Sequence, residues 1–214
     1  MTTLWRNSLL FLLIGILSSC TYYHKSSFSK LENCDEELLS ETLEQPVTRL
    51  FKSKIYFYDK YYTGLLVVKS LNETEKQVVL VTEIGVKLLD MTITEKGYTT
   101  NFVIPPLDKK IVLNHLWKDF SEVFYDVDFD SQNMVVKKCW EREDDILLKV
   151  KKGRKKYYFL FDGKKRRKEV YLLEMFGNIG KTILFDYKDK HLESVEIDAS
   201  HLKLKVKLEK KEIL

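Results

Sequence analysis

The chain has 214 residues, enough for one domain with a real core and too few for two comfortable ones. Its formal charge of +4 is mild for a chain in which 32% of residues are charged, which argues against dedicated nucleic-acid binding. Eight Gly and three Pro beside 12 Tyr and 12 Phe exclude extended disorder and favour ordered sheet.

In chain order, the first element is a leader. Arg6 is its one cation, a weakly polar to apolar run extends from Ser8 to Leu17, and small residues precede a cysteine in Leu17-Ser18-Ser19-Cys20. The run is shorter than the about 20 apolar residues that a spanning helix needs, and no A-x-A-like site marks a plain cleaved signal. These four residues resemble the lipobox of bacterial lipoproteins. The resemblance implies that residues 1–19 are removed, that Cys20 carries a diacylglyceryl group, and that the membrane holds the protein through this lipid anchor. Two or three acyl chains anchor essentially permanently, since each buried methylene contributes about 0.8 kcal/mol. Thr21 is not the Asp that retains many Gram-negative lipoproteins at the inner membrane. The outer membrane, facing the periplasm, is therefore the expected location.

Residues 20–45 read as a polar tether. Ser29-x-x-Glu32 has the form of a capping box, and Leu31, Cys34 and Leu38 come next at helical spacing, so a short helix is expected there. Once Cys20 is lipidated, Cys34 and Cys139 are an even pair in a compartment that permits disulfides. Spacing leaves open whether they bridge or remain two thiols.

A single β-rich domain is expected over residues 46–214. Strand-like runs span 47–58, 61–69, 77–82, 86–94 and 98–104, with short connections that imply antiparallel hairpins. Pro105-Pro106 stops the fifth, and Asp108 is placed to cap a helix beyond it. Leu113, Leu116, Trp117, Phe120, Val123 and Phe124 then share one face at 3.6 spacing, predicting an amphipathic helix that either packs on the sheet as core or forms a lid over a partly open cavity. Asn114, Lys118, Asp119, Ser121 and Glu122 fall on its other side. Strands resume over 134–140, 146–150, 157–161, 170–175, 183–187, 192–197 and 202–208. Twelve strands do not lie in one flat sheet, so the fold class is mainly β: a curved antiparallel sheet or half-barrel covered by one amphipathic helix.

Most motifs of catalysis or cofactor binding fail on inspection. Gly177-Asn178-Ile179-Gly180-Lys181-Thr182 mimics the tail of a P-loop, but Met175 stands where the first Gly belongs and strand comes after it instead of helix. Asp126, Asp128 and Asp130 suggest a calcium loop, yet Ser131 and Lys137 replace its Gly and Glu. His24, His115, His191 and His201 have no metal-ligand spacing. No nucleophile elbow is present, so no enzyme activity, metal or cofactor is expected. Two basic runs, 151–156 and 164–168, should project from opposite ends of the sheet, as solvated turns or as contacts to anionic headgroups.

Lipobox, tether, strands and a single aromatic helix after the fifth strand together resemble the LolA/LolB-like lipoprotein-carrier fold. The stretch from Tyr62-Thr63-Gly64-Leu65-Leu66 through Thr82 to Asp90 also looks like a group of uncharacterised bacterial envelope lipoproteins. The carrier resemblance implies a curved sheet whose apolar concave face binds acyl chains, and an outer-membrane member that receives lipoproteins from a soluble carrier. On that basis Leu113, Leu116, Trp117 and Phe120 are expected to line a cavity from the helix side, with Phe102 and Ile104 opposite. The partners would be acyl chains or other lipoproteins. A scaffolding lipoprotein that binds a protein through a sheet edge or the basic turns is the alternative, and neither reading fixes an oligomeric state.

Overall fold

The structure, a computed structural model, describes residues 27–39, 48–57, 59–94, 96–124, 134–174, 178–188, 191–199 and 203–212. The leader, Cys20 and the Asp126–Asp130 loop lie outside the described residues. Among the described residues, thirteen strands form one antiparallel sheet: β1 (Ser29–Lys30), β2 (Thr48–Phe57), β3 (Lys60–Ser70), β4 (Lys76–Val81), β5 (Lys87–Ile93), β6 (Tyr98–Val103), β7 (Met134–Arg142), β8 (Asp145–Lys152), β9 (Lys155–Phe161), β10 (Arg167–Leu173), β11 (Ile179–Lys188), β12 (His191–Ala199) and β13 (Leu204–Lys211). The helix α1 (Lys110–Phe124) stands between β6 and β7.

The sheet consists of two meanders, β2–β6 and β7–β13, joined where the last strand pairs with the first of the other set, Leu204 opposite Phe57 and Lys211 opposite Leu50. Alternation decides which side each residue takes. In β2, Arg49, Phe51, Ser53 and Ile55 are buried while Lys52 and Lys54 point to the outer face. In β13, Leu204, Val206 and Leu208 are buried between Lys205 and Lys207. The curved, open sheet therefore has an apolar inner face, and its two edges, β6 and the β7 side, are the strands between which α1 passes.

The N-terminal segment departs from the tether expected over residues 20–45. Ser29 caps no helix: it pairs with Glu141, and Lys30 with Trp140, so β1 covers one end of the β7 edge. A 3-10 turn at Glu36–Leu39 replaces the expected helix and puts Leu38, 2% exposed, into the core. Cys34 and Cys139 are disulfide-bonded, with Cα atoms 5.6 Å apart. On the outer face Phe28 packs against Trp140, Leu147 and Leu160. Residues 27–39 thus wrap the β7 edge and belong to the domain, because pairing and a covalent bond outcompete the weak helical spacing.

Gly64 sets a close approach between strands. A Cβ there would stand 1.9 Å from the Val81 carbonyl oxygen, a backbone atom that cannot step aside as a side chain would. We expect Gly64→Ala to lower stability by ~3 kcal/mol, read as a shifted urea midpoint. Gly97→Ala, where an added Cβ meets nothing within 4 Å, should stay near the parent.

Candidate functional site

The inner face under α1 is where the predicted binding residues converge. The Lys109 carbonyl accepts the first helical hydrogen bond, from Leu113 at 3.0 Å, so Asp108 precedes the helix by two residues. Val112, Leu113, Leu116, Phe120, Val123 and Phe124 are buried against the inner face in one continuous core. Trp117 Nε1 donates to the Thr94 carbonyl at 2.9 Å, and its ring lies 6.0 Å from that of Tyr98. At the other end Arg49 Nη2 donates to the Phe124 carbonyl at 3.3 Å. The Phe124 ring sits 5.6 Å from Phe51 and 5.8 Å from Phe120.

The polar side of the helix holds the main surprise. Asp119 and Glu122, expected in solvent, are buried: Lys181 of β11 places Nζ 2.6 Å from Asp119 Oδ1 and 2.5 Å from Glu122 Oε2. Burial opposes the Lys181 ammonium, but the Glu122 and Asp119 carboxylates outweigh it and hold its pKa above the ordinary lysine value. The same burial, with Glu122 beside it, pushes the Tyr157 phenol up. Lys181 comes from the P-loop look-alike, whose residues 179–182 lie in strand β11, and its ammonium serves the helix. No pattern of spacing links positions 119, 122 and 181; only the β11–α1 packing does.

Of the predicted lining residues, Leu113, Leu116 and Phe120 are 5%, 1% and 0% exposed, while Trp117 and Ile104 are half-buried against the core. Phe102 is a correction. It is 44% exposed and stands opposite Asp90 on the outer face. The reason is a bulge: Met91 pairs with Thr100 and Asp90 with Phe102, leaving Asn101 extra, so the alternation slips and Val103 takes the inner position opposite Leu89. Asn101 Nδ2 fixes the bulge through Asp90 Oδ1 at 3.0 Å and Thr92 Oγ1 at 3.2 Å. Burial pushes the Asp90 carboxyl up, but Lys87, Asn101 and Gln77 outweigh it and the pKa falls below the usual value. The helix side chains pack into the inner face instead of walling an open cavity. A shallow depression of about 320 Å³ lies between β11 and β12, bordered by Thr182, Leu184, Glu196 and Asp198.

No known family profile matches the chain, and no curated protein sequence is similar to it. Solved structures are similar in fold. A LolA superfamily protein from Nitrosomonas europaea superposes with a TM-score of 0.52 at 9% identity, over 83% of this chain and 88% of that one. A DUF1329 family protein from Desulfovibrio piger gives 0.47 at 6% identity, over 83% and 90%. A putative outer membrane lipoprotein-sorting protein domain from Vibrio parahaemolyticus gives 0.44 at 9%, over 83% and 87%. The curved sheet with one covering helix is a LolA-like fold.

Proposed function

We propose that this chain is an envelope lipoprotein, anchored through Cys20, whose half-barrel receives an acyl chain between α1 and the inner face of the sheet. The role is binding and passive handover, without catalysis. The observation that carries it is the fastening of α1. The helix crosses the concave face on an apolar seat, yet polar ties hold it: Trp117 to Thr94, Arg49 to Phe124, and Lys181 to two buried carboxylates. Buried ion pairs contribute little net stability compared with apolar packing, and their best-attested use is in register and switching. Moving α1 aside would uncover the inner face, including Phe51, Leu66, Leu80 and Met91, a surface suited to hydrocarbon. The LolA-like fold supports this reading, with the present form being the closed one.

The close packing of Leu113, Leu116 and Phe120 favours a second reading, a scaffolding lipoprotein with a solid core. Native mass spectrometry of the mature domain, prepared without detergent and then offered palmitate, separates the two. A fatty-acid or phospholipid adduct that is lost in a still-folded Trp117→Asp variant supports the carrier. A clean apo mass with no uptake leaves the scaffold.

A further inference from the structure

Strand alternation divides the basic run 151–156 between the two faces of the sheet. Across the β8–β9 hairpin Leu148 stands opposite Phe159, Val150 opposite Tyr157 and Lys152 opposite Lys155. The first four are buried in the core, so Lys152 and Lys155 continue the same inner-facing rows. Lys151 and Lys156 pair between them and lie on the outer face. On its inner side each strand therefore presents two buried apolar residues and then an ammonium.

Two lysines directly across an antiparallel pair repel each other, and their surroundings add to the repulsion. Tyr157 neighbours Leu172 and Leu172 neighbours Lys181, so the inner face carries Lys155 toward the ion pairs under α1. Lys118 stands on the helix one turn before Glu122. Loss of water opposes the charge on Lys155 and Glu122 favours it. Lys118, Lys181 and Lys152 oppose it further, and the pKa lies below the ordinary lysine value.

The nearby acids are already engaged. Asp119 and Glu122 both hold Lys181, and the Glu174 side chain lies over Gly180 on the outer face. Lys118 and Lys155 form no ion pair with another described residue. Four ammonium groups thus meet two carboxylates where the apolar inner face ends. Solvation explains turn lysines that point outward, as Lys151 and Lys156 do. It does not explain a pair on the core side of the hairpin. An apolar surface that ends in surplus cations matches an alkyl chain with a negative head, a carboxylate or a phosphate monoester. A neutral glyceride head would leave that charge uncompensated.

We infer that Lys152 and Lys155, with Lys118 from the helix, bind the anionic head of an amphiphile whose alkyl chain lies between α1 and the sheet. The inference rests on the acyl-binding reading above and narrows it from acyl chains in general to acidic ones. The test irradiates the full chain, in phosphatidylcholine vesicles, with diazirine-bearing C16 probes that end in an acid, a phosphate or an alcohol. Mass spectrometry then maps the labelled peptides. The acid or the phosphate should label β8, β9 or α1 several-fold more than the alcohol does. Labelling by the acid alone assigns a fatty acid, labelling by the phosphate assigns a phosphorylated head, and either supports the site.

Lys152→Gln with Lys155→Gln should cut labelling by the charged probe about fivefold and leave the alcohol unchanged. Lys118→Gln should act in the same direction. Lys151→Gln with Lys156→Gln removes the same charge from the outer face and should change nothing. Relief of like-charge crowding should leave the urea midpoint of the inner pair's variant equal to the parent's or higher. A lowered midpoint would make that pair structural, and the inference then stands or falls on Lys118→Gln. Equal loss in both double variants would show general attraction to a basic hairpin and overturn the inner site. Inner-face labelling that is indifferent to Lys152, Lys155 and Lys118 overturns the head site and leaves acyl binding standing. Absence of inner-face labelling by every probe overturns the acyl-binding reading itself.

Discussion

Replacing Lys181 with Met is expected to cost about 3–5 kcal/mol of stability, because it leaves two carboxylates buried without their cation. The three side chains are 7%, 0% and 10% exposed for Lys181, Asp119 and Glu122, so water cannot take the place of the ammonium. Urea denaturation reads the loss directly. The linkage sign agrees: a lysine whose folded pKa is raised contributes fully below its unfolded value of about 10.4, and that contribution fades only as pH climbs through the raised value. Lys181 therefore steadies α1 throughout the neutral range. Substituting all three positions together, Lys181→Met with Asp119→Leu and Glu122→Leu, should recover most of the loss, since an apolar trio of similar volume avoids the desolvation of three charges.

The same pair of variants tests why the ions are there. If α1 has to leave its seat for an acyl chain, Lys181→Met should take up a fluorescent fatty acid faster than the parent. The apolar triple, stable but glued by hydrocarbon, should take it up more slowly. Equal rates in all three would mean that α1 is fixed packing and would favour the scaffold. A cost below about 1 kcal/mol for Lys181→Met would show that the helix is not seated on this pair at all.

Much of the architecture was legible because its signals are periodic. The twelve strands and the helix come from alternation and from the 3.6 spacing of Leu113, Leu116, Phe120, Val123 and Phe124, patterns fixed by which face is wet. What escaped depends on contacts between distant segments. The extra residue at Asn101 turns Phe102 outward, and the polar bonds that hold it come from β5 and β6 together. Asp119 and Glu122 look like solvent residues on a helical wheel, and only the neighbouring strand supplies their cation. Ser29-x-x-Glu32 satisfies a local rule for a helix start, but Ser29 finds Glu141 across the β7 edge. The β13–β2 pairing that joins the two meanders likewise leaves no trace in either strand's own pattern.

Substituting both Cys34 and Cys139 with Ser is expected to remove about 4–5 kcal/mol, the chain-entropy value for a loop of this size. The bond spans 105 residues, from before β2 to within β7, so its removal frees much of the unfolded chain. The loss should appear as a lower urea midpoint under non-reducing conditions, matched by the parent in reductant. A local consequence should accompany it. Leu31 N donates to the Cys139 carbonyl at 3.1 Å and Arg142 lies 4.5 Å from the Phe28 ring, so these contacts, the two-residue β1–β7 pairing and the burial of Leu38 must hold residues 27–39 once the bond is gone. They are few, and Trp140, which packs against Phe28, should report their release as increased quenching by acrylamide before global unfolding. An unchanged midpoint with early Trp140 exposure would mean that the disulfide only staples the segment to the edge. An unchanged midpoint without exposure would mean that strand pairing and Leu38 burial suffice. Either result bears on the anchor proposed at Cys20, because the wrapped segment fixes the end of the sheet from which the chain before Ser27 departs.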